Sequence, residues 1–272
     1  MKTMRICRAG PVAALLVLNG FSPAVAGPTV WDLADDWSDT QNPNGPWSYN
    51  AGVNPIRSNF PNWAGTGNPA WVAAPSGFGH IPAWAKLQVK PGCVDAEIGD
   101  VFMHANDPRS GTDVDLANVT WTSPTSGVAA ISATLWWYLP DCGSQVGRTM
   151  DWRLYLNDVL MDSGNIGDGD PWSSCTPRTF GFVEELSNGD VVKLEFERTH
   201  QWGTMATVGL TVTMPPVVVC PHDLDGDGLV GIIDFLDLLA QWGGCGSADF
   251  DADGVVGITD FLALLANWGP CP

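Results

Sequence analysis

Apolar and polar residues alternate along several stretches in the middle of the chain. Stretches 152–156, 192–197 and 207–214 share this alternation with residues 129–139. A period of two is typical of strands that bury one face in an antiparallel sheet. No long helical window interrupts the pattern, so it predicts a mainly β fold, an antiparallel, jelly-roll-like β-sandwich. The predicted inward residues of the longest strand are Ala129, Ile131, Ala133, Leu135, Trp137 and Leu139.

The region before these strands differs in composition and lacks the alternating pattern. Residues 28–92 are rich in Pro, Gly, Asn and Trp and contain few periodic runs. This composition predicts loops and short edge strands wrapped on a core that the later strands form. Four tryptophans of the region either line a binding rim at one end of the sandwich or anchor the long loops in the core. They are Trp47, Trp63, Trp71 and Trp84.

A second pattern occupies the C-terminus, where the segment Asp223–Trp242 recurs 26 positions later as Asp249–Trp268. Each copy ends in apolar residues at helical spacing, which predicts two short helices with one apolar stripe each. Helices of this length are unstable alone, so we expect the two stripes to pack on each other. The stripes are Ile232, Phe235, Leu236, Leu239 and Trp242, then Ile258, Phe261, Leu262, Leu265 and Trp268.

Each copy opens with a twelve-residue loop that has carboxylates at positions 1, 3, 5 and 12 and glycine at position 6. This is the ligand spacing of a calcium loop. Position 9 is glycine in both copies, so a water is expected to complete each shell. The sequence therefore predicts two Ca²⁺ sites. The predicted ligands are Asp223, Asp225, Asp227, the Leu229 carbonyl and Asp234 in the first loop, and Asp249, Asp251, Asp253, the Val255 carbonyl and Asp260 in the second.

Charge supports the metal interpretation independently of spacing. Residues 221–272 contain nine Asp and no Glu, Lys or Arg, so the segment contributes −9 of the net charge of −18. Carboxylates at this density repel one another unless cations neutralise them. The alternative is a series of Asp-Gly turns without metal. The acidity of the whole chain argues against a nucleic-acid partner.

The repeats are of the loop–helix type, because Pro215, Pro216 and Pro221 prevent a helix from entering the first loop. With Asp at position 12, they resemble the bacterial type I dockerin, a duplicated loop–helix calcium module that binds a cohesin receptor. The resemblance covers about a fifth of the chain. It implies a small α-helical, EF-hand-like calcium module and a cohesin-like receptor protein as partner.

The resemblance has one departure, at loop positions 10 and 11, which are often Ser-Thr in dockerins that bind cohesin. Here they are Ile232 and Ile233 in the first copy, and Ile258 and Thr259 in the second. The apolar pair Ile232/Ile233 either binds a different receptor or is buried.

The N-terminus predicts export. Residues 1–26 contain basic residues, an apolar run from Pro11 to Leu18 and a small-residue cleavage site, as in a secretory signal peptide. The run is too short for stable membrane insertion. We therefore expect a secreted protein, extracellular or on the cell surface. Its predicted parts are a signal peptide (1–26), a β-sandwich (27–214), a linker (215–220) and a dockerin-like domain (221–272).

Six cysteines remain after the predicted cleavage. An oxidising compartment favours disulfides, and six cysteines allow fifteen pairings. Of these we favour Cys142–Cys175, together with Cys220–Cys271 as a clasp across the repeat module. This arrangement leaves Cys93 and Cys245 unassigned.

Aromatic residues on the nominally polar strand faces are the candidate ligand site of the sandwich. Trp136, Tyr138 and Tyr155 are predicted to form a surface on which a sugar ring stacks, with Arg153 and Lys193 nearby. Alternatively, loops cover these rings or the rings form cross-strand pairs. The first interpretation predicts a carbohydrate-binding protein, and the second leaves a structural role.

A polysaccharide-degrading glycoside hydrolase with a dockerin tail is the alternative function. Glu184–Glu185 and Glu195/Glu197 offer paired carboxylates, but their separation decides the mechanism and alternate glutamates usually mark a solvated strand face. We therefore assign no catalytic residue. A Gly-rich turn with Asp162, Asp168 and Asp170 predicts either a further calcium site or ordinary turn chemistry.

Overall fold

The computed structural model describes residues 28–73, 81–107, 115–140, 146–215 and 220–271. The predicted signal segment lies outside these residues. The chain forms two compact units, one that spans Thr29–Pro215 and one that contains the described residues 220–271. None of the described helices is both long and apolar enough to span a membrane.

The first unit is mainly β, and its strands pair in antiparallel fashion, as the alternation predicts. The strands are β1 (Thr29–Asp32), β2 (Trp47–Ala51), β3 (Asn54–Pro55), β4 (Ser58–Phe60), β5 (Ala70–Val72), β6 (Ala83–Lys86), β7 (Val101–His104), β8 (Ala117–Thr122), β9 (Gly127–Trp137), β10 (Thr149–Leu156), β11 (Val159–Gly167), β12 (Arg178–Leu186), β13 (Val191–Arg198) and β14 (Met205–Met214).

The described strands of this unit form two sheets. Eight strands make the larger sheet in the order β12-β9-β14-β7-β6-β5-β4, with β1 added beside β14. Six strands make the smaller sheet in the order β11-β10-β13-β8-β2-β3. Strand β14 pairs with β9 along one edge, while β7 and β1 share its other edge. Sequence-distant strands are therefore neighbours in both sheets.

The inner faces of the two sheets enclose one apolar core. Alternating residues of β10, β13 and β14 enter this core, as do Ala129, Ile131, Ala133 and Leu135 of β9, which confirms these predicted inward residues. The other two predicted inward residues of this stretch, Trp137 and Leu139, belong instead to a second apolar cluster with Tyr138 and Phe102, so the predicted alternation ends before Trp137. Aromatic rings join the layers: Trp84 lies 6.0 Å from Phe196 and Trp152 stacks 3.8 Å from Phe180, centroid to centroid. Such ring pairs add to the burial energy of the core.

The region 28–92 contributes short strands, but not only at sheet edges. Strand β2 lies inside the smaller sheet between β8 and β3, and β5 lies inside the larger sheet. All four candidate rim tryptophans, from Trp47 to Trp84, are buried. The structure therefore supports the core-anchor interpretation and not a tryptophan rim.

The second unit contains two helices, α1 (Ile232–Ala240) and α2 (Ile258–Ala266), and a two-stranded ribbon. The ribbon pairs β15 (Leu229–Val230) with β16 (Gly269–Pro270). Within the described residues, the apolar core of this unit is small. Its buried members are Val230, Leu238, Ala248, Val256 and Leu264.

The disulfides confirm one predicted pairing and correct the other. Cys220 and Cys271 are bonded, with Cα atoms 5.8 Å apart. Cys175 carries an exposed reduced thiol in the tight turn 173–176, so the predicted Cys142–Cys175 pairing is wrong. Cys93 is disulfide-bonded and Cys245 is an exposed thiol. Spacing along the chain carries no information on which sheet ends meet, and this is why the second pairing failed.

Candidate functional site

The first predicted calcium loop folds so that its carboxylates converge. Oxygens of Asp223, Asp225 and Asp234 lie within 4.8 Å of one another. Backbone groups hold them there: Asp223 Oδ1 accepts the Gly226 N–H at 2.8 Å, and Asp234 Oδ2 accepts the Gly231 N–H at 2.6 Å. Hard oxygens at this separation match the donor set that Ca²⁺ prefers.

Asp234 occupies the third position of α1, and this explains how a residue eleven positions after Asp223 reaches the same point. Its Oδ1 accepts the backbone N–H groups of Leu224 at 2.6 Å and Asp225 at 3.2 Å. The carboxylate therefore ties the start of the helix back onto the loop. Asp227 lies outside the tight cluster, and its Oδ1 accepts the Leu229 N–H at 2.8 Å.

The second loop repeats this arrangement almost atom for atom. Oxygens of Asp249, Asp251 and Asp260 lie within 4.8 Å of one another. Asp260 accepts the Phe250 N–H at 2.7 Å and, through its other oxygen, the Gly257 N–H at 2.7 Å. Asp253 Oδ1 accepts the Val255 N–H at 2.9 Å, as Asp227 does for Leu229. Two loops of the same geometry follow from the repeated sequence.

The carboxylates of the first loop repel one another, and this repulsion affects their pKa values. Loss of hydration raises the pKa of Asp225 above its ordinary value, and repulsion from Asp227 and Asp234 adds to the rise. Burial pushes the pKa of Asp234 in the same direction, but the backbone N–H groups around it lower the pKa below its ordinary value. Asp234 is thus held as a carboxylate beside others, an arrangement that a divalent cation stabilises.

Each loop is backed by the chain segment that follows the other helix. Residues 269–270, after α2, pair with 229–230 of the first loop, and Cys271 N–H donates to the Gly228 carbonyl at 3.0 Å. In the same way Gly243 N–H donates to the Val256 carbonyl at 2.9 Å, and Val256 N–H donates to the Gly244 carbonyl at 2.8 Å. The two loops therefore form one reciprocal unit.

Most residues of the two predicted apolar stripes are exposed, so the expectation that the stripes pack on each other is wrong. Contact between the stripes is made by Phe235 and Phe261, whose ring centroids lie 5.6 Å apart. The buried helical leucines are Leu238 and Leu264. The reason is the rotation of the helix about its axis. Asp234 points into the loop, where it accepts backbone N–H groups, and this orientation turns Leu238 inward instead of the predicted stripe.

The outward side of both helices is consequently apolar. Ile232 and Ile233 are 59% and 50% exposed, so the possibility that this pair is buried is excluded. We call the exposed set the apolar helix face. It comprises Ile232, Ile233, Leu236, Leu239 and Trp242 of the first repeat and Ile258, Leu262, Leu265 and Trp268 of the second.

The three aromatic residues predicted for sugar stacking do not form one surface. Trp136 and Tyr138 are buried on the larger sheet or directly after it, whereas Tyr155 lies on β10 of the smaller sheet. Residue 95 lies over the first two: the Trp136 indole N–H donates to the Asp95 carbonyl at 2.5 Å, and Asp95 N–H donates to the Tyr138 carbonyl at 3.0 Å. The structure therefore supports the alternative in which a loop covers Trp136 and Tyr138.

Tyr138 also borders an apolar cavity of about 490 Å³ whose wall includes Trp63, His104 and Met205. Burial raises the pKa of Tyr138 above its ordinary value. This cavity was not foreseen, because its residues come from distant strands.

Tyr155 does share a surface with the charged residues that the strand pattern grouped around it. The outer face of the smaller sheet carries two polar rows across β2, β8, β13 and β10. One row is Asn50, Asn118, Glu195 and Arg153, and the other is Ser48, Thr120, Lys193 and Tyr155. The Lys193 ammonium lies 4.6 Å from the Tyr155 ring centroid.

A cleft of about 630 Å³ lies over these rows. Its floor is polar, formed by both asparagines with Ser48, Thr120, Lys193 and Glu195, and prolines 43, 46 and 55 also line it. The sequence contained the alternation that places these side chains on one face. It did not show that β2 joins β8, and so it missed the contribution of residues 48 and 50.

The remaining carboxylate candidates separate in space. Glu184 and Glu185 are exposed on β12 of the larger sheet, while Glu195 and Glu197 lie on β13 of the smaller one. Around the Gly-rich turn, Asp162, Asp168 and Asp170 accept backbone N–H groups of residues 163, 147 and 167. These three serve as turn-stabilising acceptors.

No family model and no curated protein sequence matches the chain. Solved structures similar to it include a family 35 carbohydrate-binding module from Clostridium thermocellum, with 17% identity over 46% of this chain and 85% of that one, at a TM-score of 0.26. The C-terminal family 6 module of a marine laminarinase from Zobellia galactanivorans matches at 12% identity over 48% and 90%, also at 0.26. A family 35 module from Paenibacillus barcinonensis matches at 10% identity over 68% and 97%, again at 0.26.

Proposed function

We propose that this is a secreted protein in which a calcium-dependent docking unit at the C-terminus carries a carbohydrate-binding β-sandwich. The observation that carries the proposal is the pair of equivalent loops, each with three carboxylates whose oxygens lie within 4.8 Å. The loops are joined to an apolar face for which the described part of the unit supplies no cover.

Calcium binding is supported by the balance between charge and core. The segment from residue 221 contains nine Asp and no Lys or Arg, while the described apolar core of the unit consists of a few small and medium side chains. A core of this size stabilises a fold poorly, and unneutralised carboxylates destabilise it further. Two Ca²⁺ ions held by Asp223, Asp225 and Asp234, and by their counterparts in the second loop, offset both deficits.

Calcium titration of the full chain by calorimetry tests this step. We expect two Ca²⁺ per chain, and we expect Asp225→Ala with Asp251→Ala to weaken binding at both sites by at least tenfold, since each removes one charged ligand. Asp237→Ala is the matched control, because Asp237 lies on α1 outside the loop. Unchanged binding in the double variant, or no binding by the wild type, contradicts the calcium proposal.

Docking to a cohesin-like receptor protein is supported by the apolar helix face. Large apolar patches on soluble proteins mark sites where a partner binds. The face repeats on both helices, includes Trp242 and Trp268, and carries no cationic residue. A receptor with an apolar, non-acidic recognition surface fits it.

Binding of the full chain to a panel of purified cohesin domains in calcium tests the docking step. We expect Leu236→Ser with Leu262→Ser to abolish the interaction without loss of calcium binding. The wild-type chain could instead bind no cohesin but form a dimer in calcium, and the double variant could lose that dimer. This result would show that the partner of the apolar helix face is a second copy of the chain and not a receptor.

Carbohydrate binding by the sandwich is supported by the polar outer face of the smaller sheet and its cleft. Sugar ligands require a concave surface with a few fixed hydrogen-bonding groups. Depletion of the full chain from solution by insoluble polysaccharides tests it. Binding to at least one polymer is the expected result, and binding to none overturns this part of the proposal.

A further inference from the structure

We propose that the cleft on the outer face of the smaller sheet is a subsite for a neutral oligosaccharide chain, with Glu195 and Thr120 as its hydrogen-bonding contacts. This inference rests on the proposed carbohydrate binding of the sandwich and assigns it a place. The cleft volume of about 630 Å³ is in the ~300–1,000 Å³ range of ligand sites.

The cleft floor is fixed before any ligand arrives. Asn50 Nδ2 donates to Asn118 Oδ1 at 3.0 Å, and Asn118 Nδ2 donates to the Gly52 carbonyl at 2.7 Å. Ser48 Oγ donates to Asn50 Oδ1 at 2.7 Å. Both asparagines are buried, so their amides are held in one orientation. A preorganised floor lowers the entropy cost of binding.

Glu195 is a polar group of the cleft whose hydrogen-bonding capacity is largely unused. Its side chain is only 15% exposed, and its sole ion contact among the described residues is Lys193 Nζ at 4.0 Å. No described residue donates a hydrogen bond to it. A carboxylate with so little of its side chain exposed is solvated by few waters, so it gains from further hydrogen-bond donors. Two neighbouring hydroxyl groups of a sugar supply the missing donors.

Lys193 and Thr120 complete the hydrogen-bonding pattern beside this carboxylate. Lys193 Nζ is positioned by Asp158 Oδ1 at 2.9 Å and by the Tyr155 ring, and it retains protons to donate. The Thr120 hydroxyl accepts a long hydrogen bond of 3.3 Å from Asn50, so its own proton is available. Acceptor and donor groups thus stand side by side, which suits hydroxyl groups because they both donate and accept.

Charge decides between classes of glycan. The two cations of the face, Lys193 and Arg153, are already paired: Lys193 with Asp158, and Arg153 with Glu197 at 2.8 Å. Glu195 and Asp151 add two further carboxylates, and the chain carries −18 overall. This surface repels a uronic-acid polymer, whereas an uncharged polysaccharide experiences no such electrostatic repulsion. The structure therefore favours a neutral chain.

The test compares the full-length protein in calcium with three variants on neutral and acidic polysaccharides, with depletion from solution as the readout. Glu195→Gln removes the charge but keeps the shape, and Thr120→Val removes the hydroxyl but keeps the volume. Glu185→Gln is the matched control, because Glu185 is an exposed glutamate on the other sheet. Thermal unfolding verifies that all variants fold.

We expect wild type and Glu185→Gln to bind a neutral polymer equally. Glu195→Gln is expected to bind about tenfold or more weakly, since it loses charge-assisted hydrogen bonds, and Thr120→Val several-fold more weakly. Binding that survives unchanged in both cleft variants overturns the cleft assignment and leaves carbohydrate binding intact. Binding only to acidic polymers overturns the neutral class. Binding to no polymer overturns the proposed function as well.

Discussion

The two units of this chain bury their large apolar side chains to very different extents. The sandwich buries large side chains such as Trp84, Trp121, Trp152 and Phe196 completely between two sheets. The C-terminal unit keeps its tryptophans about half exposed and buries mainly leucine, valine and alanine. The sandwich is stabilised by apolar area, which grows with domain size, whereas the small unit has one disulfide across its ends and, in our proposal, two bound calcium ions. The comparison predicts different sensitivities in the two units.

Calcium removal is the sharpest way to separate them. With excess chelator at low ionic strength, we expect the C-terminal unit to unfold, because its nine carboxylates then repel without compensation. The sandwich should remain folded, since its core contains none of these residues. Hydrogen exchange measured peptide by peptide reads both units in the same sample. Protection of residues 223–268 that survives chelation contradicts the comparison.

A core truncation should produce the reverse result. Phe196→Ala is expected to cost the sandwich about 3–5 kcal/mol, because it leaves a cavity beside Trp84. Calcium affinity of the C-terminal unit should not change. Denaturant unfolding followed by tryptophan fluorescence gives the first quantity and calorimetry the second. If the alanine variant does not fold, Phe196→Leu provides a milder change of the same sign.

Loss of the Cys220–Cys271 disulfide ranks next. The repeat offset of 26 maps Cys271 onto Cys245 and Cys220 onto Gly246, and residues 245 and 246 are joined by a peptide bond. The disulfide therefore joins the start of the first repeat to the end of the second, just as the peptide bond joins the end of the first repeat to the start of the second. It closes the two-repeat unit into a covalent ring, so both loops receive the same backing.

We expect Cys220→Ser with Cys271→Ser to destabilise the C-terminal unit by about 2–4 kcal/mol, as for other disulfides that close long loops. The first calcium loop should weaken more than the second, because Cys271 N–H bonds to the Gly228 carbonyl of the first loop. Calorimetry should then resolve two unequal sites. Cys245→Ser is the control, and equal weakening of both sites contradicts the ring interpretation.

The smallest effect is expected on the apolar helix face. Leu236 is 52% exposed and Leu238 is fully buried, although the two lie on the same helix two residues apart. Leu236→Ala should change the free energy of unfolding by no more than about 0.5 kcal/mol. Leu238→Ala should cost about 2–5 kcal/mol at saturating calcium. If thermal unfolding shows similar losses of stability for Leu236→Ala and Leu238→Ala, the apolar helix face is covered in the folded protein.

Much of the fold was accessible from local sequence. Alternation identified the inward residues of β10, β13 and β14 and those of β9 as far as Leu135, because a strand has only two faces and neighbours along it must alternate. Loop spacing identified Asp223, Asp225 and Asp234 as a convergent set, because the local backbone of the loop and first helical turn directs these side chains to one point. In both cases the information lies within about a dozen consecutive residues.

Rotation of the short helices was not accessible, because their sequences are apolar on nearly all sides and periodicity cannot choose among several apolar faces. The rotation is set by Asp234, which points inward to accept backbone N–H groups of the preceding loop. Likewise, alternation placed Trp136 on a nominally polar face, but only the folded chain lays residue 95 across it.

The sequence by itself determined most of the strand faces and the twelve-residue loops, and it favoured the clasp between Cys220 and Cys271 without excluding other pairings. Tertiary structure alone decided which strands are neighbours, and hence the cleft between residues 48–50 and Glu195, the burial of Trp136 and Tyr138, and the apolar helix face. The physical reason is that periodicity fixes the direction of a side chain relative to its own backbone. What that side chain meets is set by contacts between segments that lie far apart in the chain.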